Sequence, residues 1–156
     1  LLPSDIVRLK MNDTKDVSTI GSDYKINTGS PHLIKFVEKV NDFPVFEEGK
    51  KIRYSDTYKE KGINVNFVEQ LSNNTIFVRT YERGVENETL SCGTGVTAAA
   101  LAASLKGFQS PVSIKTLGGD LSVEFKSRQS ASQASTFHDI FLVGPAKMVF
   151  EGDLEL

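Results

Sequence analysis

The stretch Val96-Thr97-Ala98-Ala99-Ala100-Leu101-Ala102-Ala103-Ser104-Leu105 limits this chain more than any other. Ala and Leu give it high helix propensity, and Gly107 just beyond supplies a left-handed stop. Apolar residues fill nearly every position instead of one stripe, so the helix has to be surrounded by other structure. It is far shorter than the ~20 residues a membrane span requires. A core helix therefore sits inside one domain, residues 1–156, a length that buries about 70% of the unfolded surface.

The rest of the chain reads largely as strands to wrap that helix. Alternation of apolar and polar residues predicts strands over Ile6–Met11, Asp23–Thr28, Ile63–Phe67 and Thr75–Tyr81, with Asn64 and Asn66 opposite the apolar face of the third. Val112–Leu117, Leu121–Lys126, Asp139–Val143 and Lys147–Phe150 follow, the first two joined at Gly118-Gly119-Asp120. Pro31 suits a first helical position, and Leu33, Phe36, Val37 and Val40 then share one face of a short helix. Val45–Tyr54 predicts a second, basic helix, and Ser127–Thr136 reads as a flexible hairpin tip. The fold class expected is α+β, with a curled, barrel-like, mostly antiparallel sheet around the Ala-rich helix.

Chemistry concentrates where the core helix begins. Cys92, Gly93 and Thr94 fall at its first turn, where backbone N–H groups lack intrahelical partners and the dipole favours an anion. That field favours thiolate over thiol, so Cys92 is expected to have a depressed pKa, and Gly93 lets a ligand approach the backbone. Glu82 and Arg83 end the preceding strand. Arg83 can clamp a carboxylate through two N–H groups and Glu82 can accept from an ammonium, which suits a zwitterionic substrate. Glu86 and Glu88 read as polar loop residues, and His138 carries no assigned chemistry.

The run Glu82–Gly95, with Gly29-Ser30-Pro31-His32 and Gly144-Pro145-Ala146, resembles the C-terminal half of diaminopimelate epimerase. The resemblance implies a cofactor-independent amino-acid epimerase interconverting LL- and meso-diaminopimelate in lysine and cell-wall precursor biosynthesis, and one half of that family's fold. It implies a catalytic set of Cys92, Glu82 and His32, the histidine lying near the thiols. The substrate-binding set would be Asn64, Glu82, Arg83, Gly93, Thr94 and Ser30. Ser30 stands where the family often has Asn, whereas Asn66 replaces what is often a small residue and receives no role. A missing N-terminal domain with a second catalytic cysteine is a further implication, and the absence of an initiator Met predicts a chain that begins inside a longer product. The fragment alone is expected to fold without epimerising.

Two other readings stay open: a proline or hydroxyproline racemase-like enzyme of the same superfamily, and a non-catalytic amino-acid-binding domain. No Lys-bound cofactor site, metal cluster or phosphate loop is visible, so neither cofactor nor metal is expected. A net charge of −2 argues against nucleic acid or an anionic membrane as partner. The expected partners are a small amino-acid substrate, the missing domain and, in some assemblies, a second copy. A single cysteine fits the reducing cytoplasm.

Overall fold

The computed structural model describes residues 5–15, 17–72, 74–129 and 135–155. In chain order these form β1 (Ile6–Lys10), β2 (Val17–Ile20), β3 (Asp23–Asn27), β4 (Pro31–Phe36), α1 (Val45–Arg53), β5 (Asn64–Gln70), β6 (Thr75–Glu82), β7 (Asn87–Thr89), α2 (Gly93–Ser104), β8 (Val112–Thr116), β9 (Gly119–Gln129) and β10 (Ser135–Pro145). One sheet runs β1-β10-β9-β8-β6-β5-β4-β3-β2, with β7 added on β6. Its pairs are antiparallel except β4 with β5 and β6 with β8. The curled sheet encloses α2, which packs against β3 to β6 and β8 to β10. Thr14, between β1 and β2, draws the two edges together: its backbone exchanges hydrogen bonds with Phe137 on β10 and its hydroxyl donates to the Asn27 carbonyl on β3.

The expected core helix is therefore found, buried from Gly95 to Ala103, and Gly107 follows it at a φ of 100°. Apolar side chains inside the curl form one cluster around it, including Ile34, Val68, Ile76, Val78, Val123, Phe125, Phe137 and Ile140. Leu33, Val40, Val45, Ile63, Val65, Phe67 and Tyr81 form a second core outside the sheet, beneath α1. This outer layer has a consequence for β5. Because α1 covers one face and α2 the other, Asn64 and Asn66 are buried, not turned to solvent.

Several expectations need correction. The segment after Pro31 is β4, not a helix: its backbone pairs with β3 on one side and β5 on the other, and this ladder overrides an apolar spacing that suited either structure. Lys147–Phe150 forms no strand, and Met148, Val149 and Phe150 are exposed. β2 is an additional strand at the sheet edge. The turn between β8 and β9 is Leu117-Gly118, with Gly119 already paired to Thr116. Of the expected hairpin tip, Ser127–Gln129 and Ser135–Thr136 are paired strand and residues 130–134 lie outside the described residues. Among the described residues no helix is long and apolar enough to cross a membrane.

Candidate active site

Strands β4, β5 and β6 each send one polar side chain inward to the N-terminal end of α2: His32, Asn66 and Thr80. The register sets Asn66 directly opposite Thr80 and Asn64 beside His32. All three inward groups are buried, His32 and Asn66 completely. Burying them without partners would cost roughly 1–3 kcal/mol each. They are satisfied by one another: the Asn66 amide donates to Thr80 Oγ1 at 2.7 Å, and its carbonyl oxygen lies 2.8 Å from His32 Nδ1. On the other side of the ring, His32 Nε2 is 2.9 Å from Ser30 Oγ and 3.0 Å from Thr94 Oγ1.

Thr94 links this group to the cysteine. Its hydroxyl lies 3.6 Å from Cys92 Sγ, and Cys92 is the N-cap residue of α2, with extended backbone and no side chain capping the helix. Gly95 allows the close approach. A Cβ there would stand 2.5 Å from Asn66 Nδ2 and 3.3 Å from His32 Cε1. The Thr28 hydroxyl, just after β3, donates to the Thr94 carbonyl and fastens the same turn.

The ionisation of the cysteine differs from expectation. The Cys92 thiol is pushed up, because burial at 8% exposure outweighs the Thr94 hydroxyl and the Gly95 and Thr94 backbone N–H groups that favour thiolate, and the Glu82 carboxylate adds to the rise. The helix terminus is present but does not win alone. His32 is pushed down to about 4, first by burial, with the Asn66 bond opposing and Arg83 adding to the fall. The imidazole is therefore neutral at pH 7.

Around the mouth, Asn64 acts as a strut: its Nδ2 donates to Ser30 Oγ and the Pro31 carbonyl, and its Oδ1 accepts from the Arg83 backbone N–H. Both of its N–H groups are thus engaged within the protein. Arg83 is exposed and donates to the Lys61 carbonyl, while Glu82 accepts from the Thr89 hydroxyl. Glu86 and Glu88 are more than loop surface. Glu86 pairs with Arg53 of α1, and Glu88 makes a two-point pair with Arg79, so both fasten the segment that carries Arg83. His138 lies on β10 beside Asp139, away from this group.

The structure thus connects Cys92, Thr94, His32, Ser30, Asn64 and the Arg83 backbone through hydrogen bonds, and leaves the Arg83 guanidinium on the rim. The residues missed in the sequence are Asn66 and Thr80. Nothing local distinguishes Asn66 from a solvent-facing amide. The usable signal was indirect, since a strand followed by a helix-covered neighbour has no solvent face.

Known proteins match this chain along most of its length. A family model described as diaminopimelate epimerase matches residues 24–149. The chain is 46% identical over 150 residues to the diaminopimelate epimerase of Flavobacterium psychrophilum, covering 95% of this chain and 57% of that one. It is 45% identical over 132 residues to the diaminopimelate epimerase of Aquifex aeolicus, covering 83% and 44%. The chain spans about half the length of the curated relatives it matches. Among solved structures it is similar to a hydroxyproline epimerase from Agrobacterium vitis, with a TM-score of 0.61, 16% identity, and coverage of 90% of this chain and 50% of that one. A probable proline racemase from Agrobacterium radiobacter aligns with a TM-score of 0.60 at 14% identity, over 94% and 54%. At such identities the likeness is one of fold.

Proposed function

This chain belongs to the diaminopimelate epimerase family, and we propose from that premise that it is one catalytic half of an enzyme that inverts an α-carbon of diaminopimelate without a bound cofactor. The observation that carries the reading is a thiol at the uncapped N-terminus of a buried helix, backed by a neutral histidine. Such a terminus holds an α-carboxylate on the N–H groups of Gly93 and Thr94, which places the adjacent carbon beside Cys92 Sγ. As thiolate, Cys92 takes the α-proton from one face; as thiol, it returns a proton to that face. Charge left on the carbon and carboxylate is stabilised by the same N–H groups. Burial that raises the thiol's pKa suits a residue that must act in both forms.

Glu82 and Arg83 at the rim would receive the distal ammonium and carboxylate, and Asn64 holds the Arg83 backbone in place. Inversion requires a second group on the opposite face of the carbon. We assign it to a second domain, with the present chain resembling the C-terminal one. Exposed apolar side chains near the mouth fit such a cover: Leu90 lies two residues before Cys92, Leu117 sits on the turn bonded to the Leu90 carbonyl, and Leu9 pairs with Leu142 against Gly93. A thiol that must stay reduced points to the cytoplasm.

The test is α-proton exchange and stereoinversion of diaminopimelate in deuterated water. The full-length enzyme is expected to invert, and Cys92→Ser in it to lose about 10²–10⁴-fold or more. Wild-type turnover of both stereoisomers by Cys92→Ser would overturn the assignment. Alkylation of Cys92 that diaminopimelate protects against, with no inversion by the full-length enzyme, would favour a binding domain instead.

A further inference from the structure

We infer that Arg53 is a positioning residue for the Arg83 side chain and that Gly62 is the surface on which that side chain rests, so that together they set where a substrate's distal carboxylate is met. The inference rests on the proposed function for the identity of that carboxylate; the placement of Arg83 is a property of this chain. Gly49 brings α1 onto β6 so closely that a Cβ there would stand 2.3 Å from Tyr81 Cβ. Arg53, in the last turn of that helix, reaches two turns that come from different parts of the sheet. Its Nε donates to Glu86 Oε1 at 3.2 Å, and its Nη1 donates to the Lys59 carbonyl at 3.2 Å and, more weakly, to the Tyr58 carbonyl at 3.5 Å. Glu86 accepts in turn from the Gly84 N–H and the Tyr81 hydroxyl, so residues 81–86 are tied to the same guanidinium. A planar fork can hold acceptors on both sides at once, whereas a Lys ammonium is a single point of charge.

Arg83 lies between these two turns. Its backbone N–H is held by Asn64, its Nη1 donates to the Lys61 carbonyl at 2.9 Å, and its stem lies across Gly62. A Cβ at position 62 would stand 2.4 Å from Arg83 Cδ, 2.9 Å from Arg83 Cγ and 3.0 Å from Arg53 Cζ, so two cationic side chains meet over one glycine. Their repulsion is offset by the Glu86 carboxylate paired with Arg53. With Nη1 anchored, Nε and Nη2 of Arg83 have no hydrogen-bond partner among the described residues, and they are the donors left for a two-point grip on a carboxylate. A substrate held at one end by the first N–H groups of α2 and at the other by Arg83 is accepted at one length. Arg53 and Gly62 never reach it, yet they fix that length by fixing where the guanidinium stands.

Arg53→Lys in the full-length enzyme keeps the charge and loses the two-sided grip. KM for diaminopimelate should rise severalfold with kcat near the wild-type value, because the contact weakens alike for substrate and transition state. Arg83→Gln should raise KM further, and adding Arg53→Lys to it should change KM no more, since a residue that acts through Arg83 then has nothing to position. Effects that multiply in the double variant, or an unchanged KM in Arg53→Lys beside a raised one in Arg83→Gln, overturn the inference. Gly62→Ala should raise KM by displacing the Arg83 stem. Gly62→Asn tolerates the φ of 71° better but carries the same Cβ, so its KM should stay raised; recovery by Asn would assign the effect to backbone strain and overturn the role of Gly62. Amide hydrogen exchange needs no substrate: in Arg53→Lys the Gly62 and Gly84 N–H groups should exchange severalfold faster, with those of α2 unchanged. Unchanged exchange at both overturns the positioning itself. Faster exchange in an enzyme that does not invert diaminopimelate supports the positioning and overturns the epimerase reading alone.

Discussion

At its C-terminal end α2 places Leu101, Ala102 and Ala103 in an apolar cluster with Phe125, Phe137 and Ile114, whereas at its N-terminal end Thr94 and Gly95 meet His32, Asn66 and Thr80. The same sheet surrounds both ends. The apolar end is where burial stabilises the fold, at roughly 25 cal/mol per Å² of apolar surface removed from water. The polar end has to spend hydrogen bonds merely to offset desolvation, and it does so completely: among the described residues no buried side-chain nitrogen or oxygen lacks a partner. The contrast teaches that stability and chemistry are segregated along one helix. Damage at one end should show mainly in unfolding, and damage at the other in ionisation.

The largest stability effect is expected at the apolar end. Leu101→Ala removes a fully buried side chain and should cost about 2–5 kcal/mol in denaturant unfolding, since a rigid helix between packed strands collapses little into the gap. The alkylation rate of Cys92 should not change. If the rate moved as much as the stability, the two ends would not be separable.

At the polar end the next effect should be a dependence on pH. His32 is held neutral, its pKa lowered from 6.5 to about 4, so between those values the unfolded chain binds a proton that the folded chain does not. Stability contributed by the neutral imidazole is present in full above pH 6.5, declines as the pH falls, and is gone below pH 4. The difference amounts to about 3 kcal/mol. Comparing unfolding of the wild-type chain with His32→Gln across this window isolates it from the carboxylates. Parallel stability curves would show that His32 does not carry the acid sensitivity.

This segregation also explains what could be read from the sequence. The apolar end was legible because an Ala and Leu run closed by Gly107 leaves few alternatives to a buried helix. The thiol at its start was legible for the same reason. The partners of the polar end were not, because they arrive from β4, β5 and β6 through register, and register is not written in any one segment. Leu33, Phe36, Val37 and Val40 fit a helix face in isolation; pairing on both sides of β4 decides otherwise. Asn66 looked like a surface amide until α1 closed one face of β5 and α2 the other. The depressed pKa expected for Cys92 failed likewise, since helix position is visible in a sequence and depth of burial is not.

Glycines at the two ends give a finer version of the comparison. Gly95→Ala would drive a methyl group into Asn66 Nδ2 and toward the His32 ring, both fully buried groups. The expected cost is about 1–3 kcal/mol from overpacking, accompanied by loss of the wild-type His32 NMR signal. Loss of stability with an unchanged His32 environment would mean that the helix, not the polar group, had moved.

Gly107→Ala should give the smallest effect, and its cause should differ in kind. At Gly107 a Cβ would meet nothing within 4 Å, so packing cannot penalise the substitution. The backbone can. Its φ of 100° follows directly on the last turn of α2, where the Gly107 N–H bonds the Ser104 carbonyl and the Phe108 N–H bonds the Ala103 carbonyl. An L side chain at such a φ costs about 1–2 kcal/mol through contact between Cβ and its own backbone. Asn tolerates left-handed geometry better than Ala, so Gly107→Asn should recover part of the loss. Denaturant unfolding checks the order Gly, Asn, Ala, and the alkylation rate of Cys92 should be the same in all three. Equal destabilisation by Asn and Ala would place the cost in something other than backbone conformation. A changed Cys92 rate would show that strain at the C-terminal end reaches the thiol through α2, which the separation of the two ends forbids.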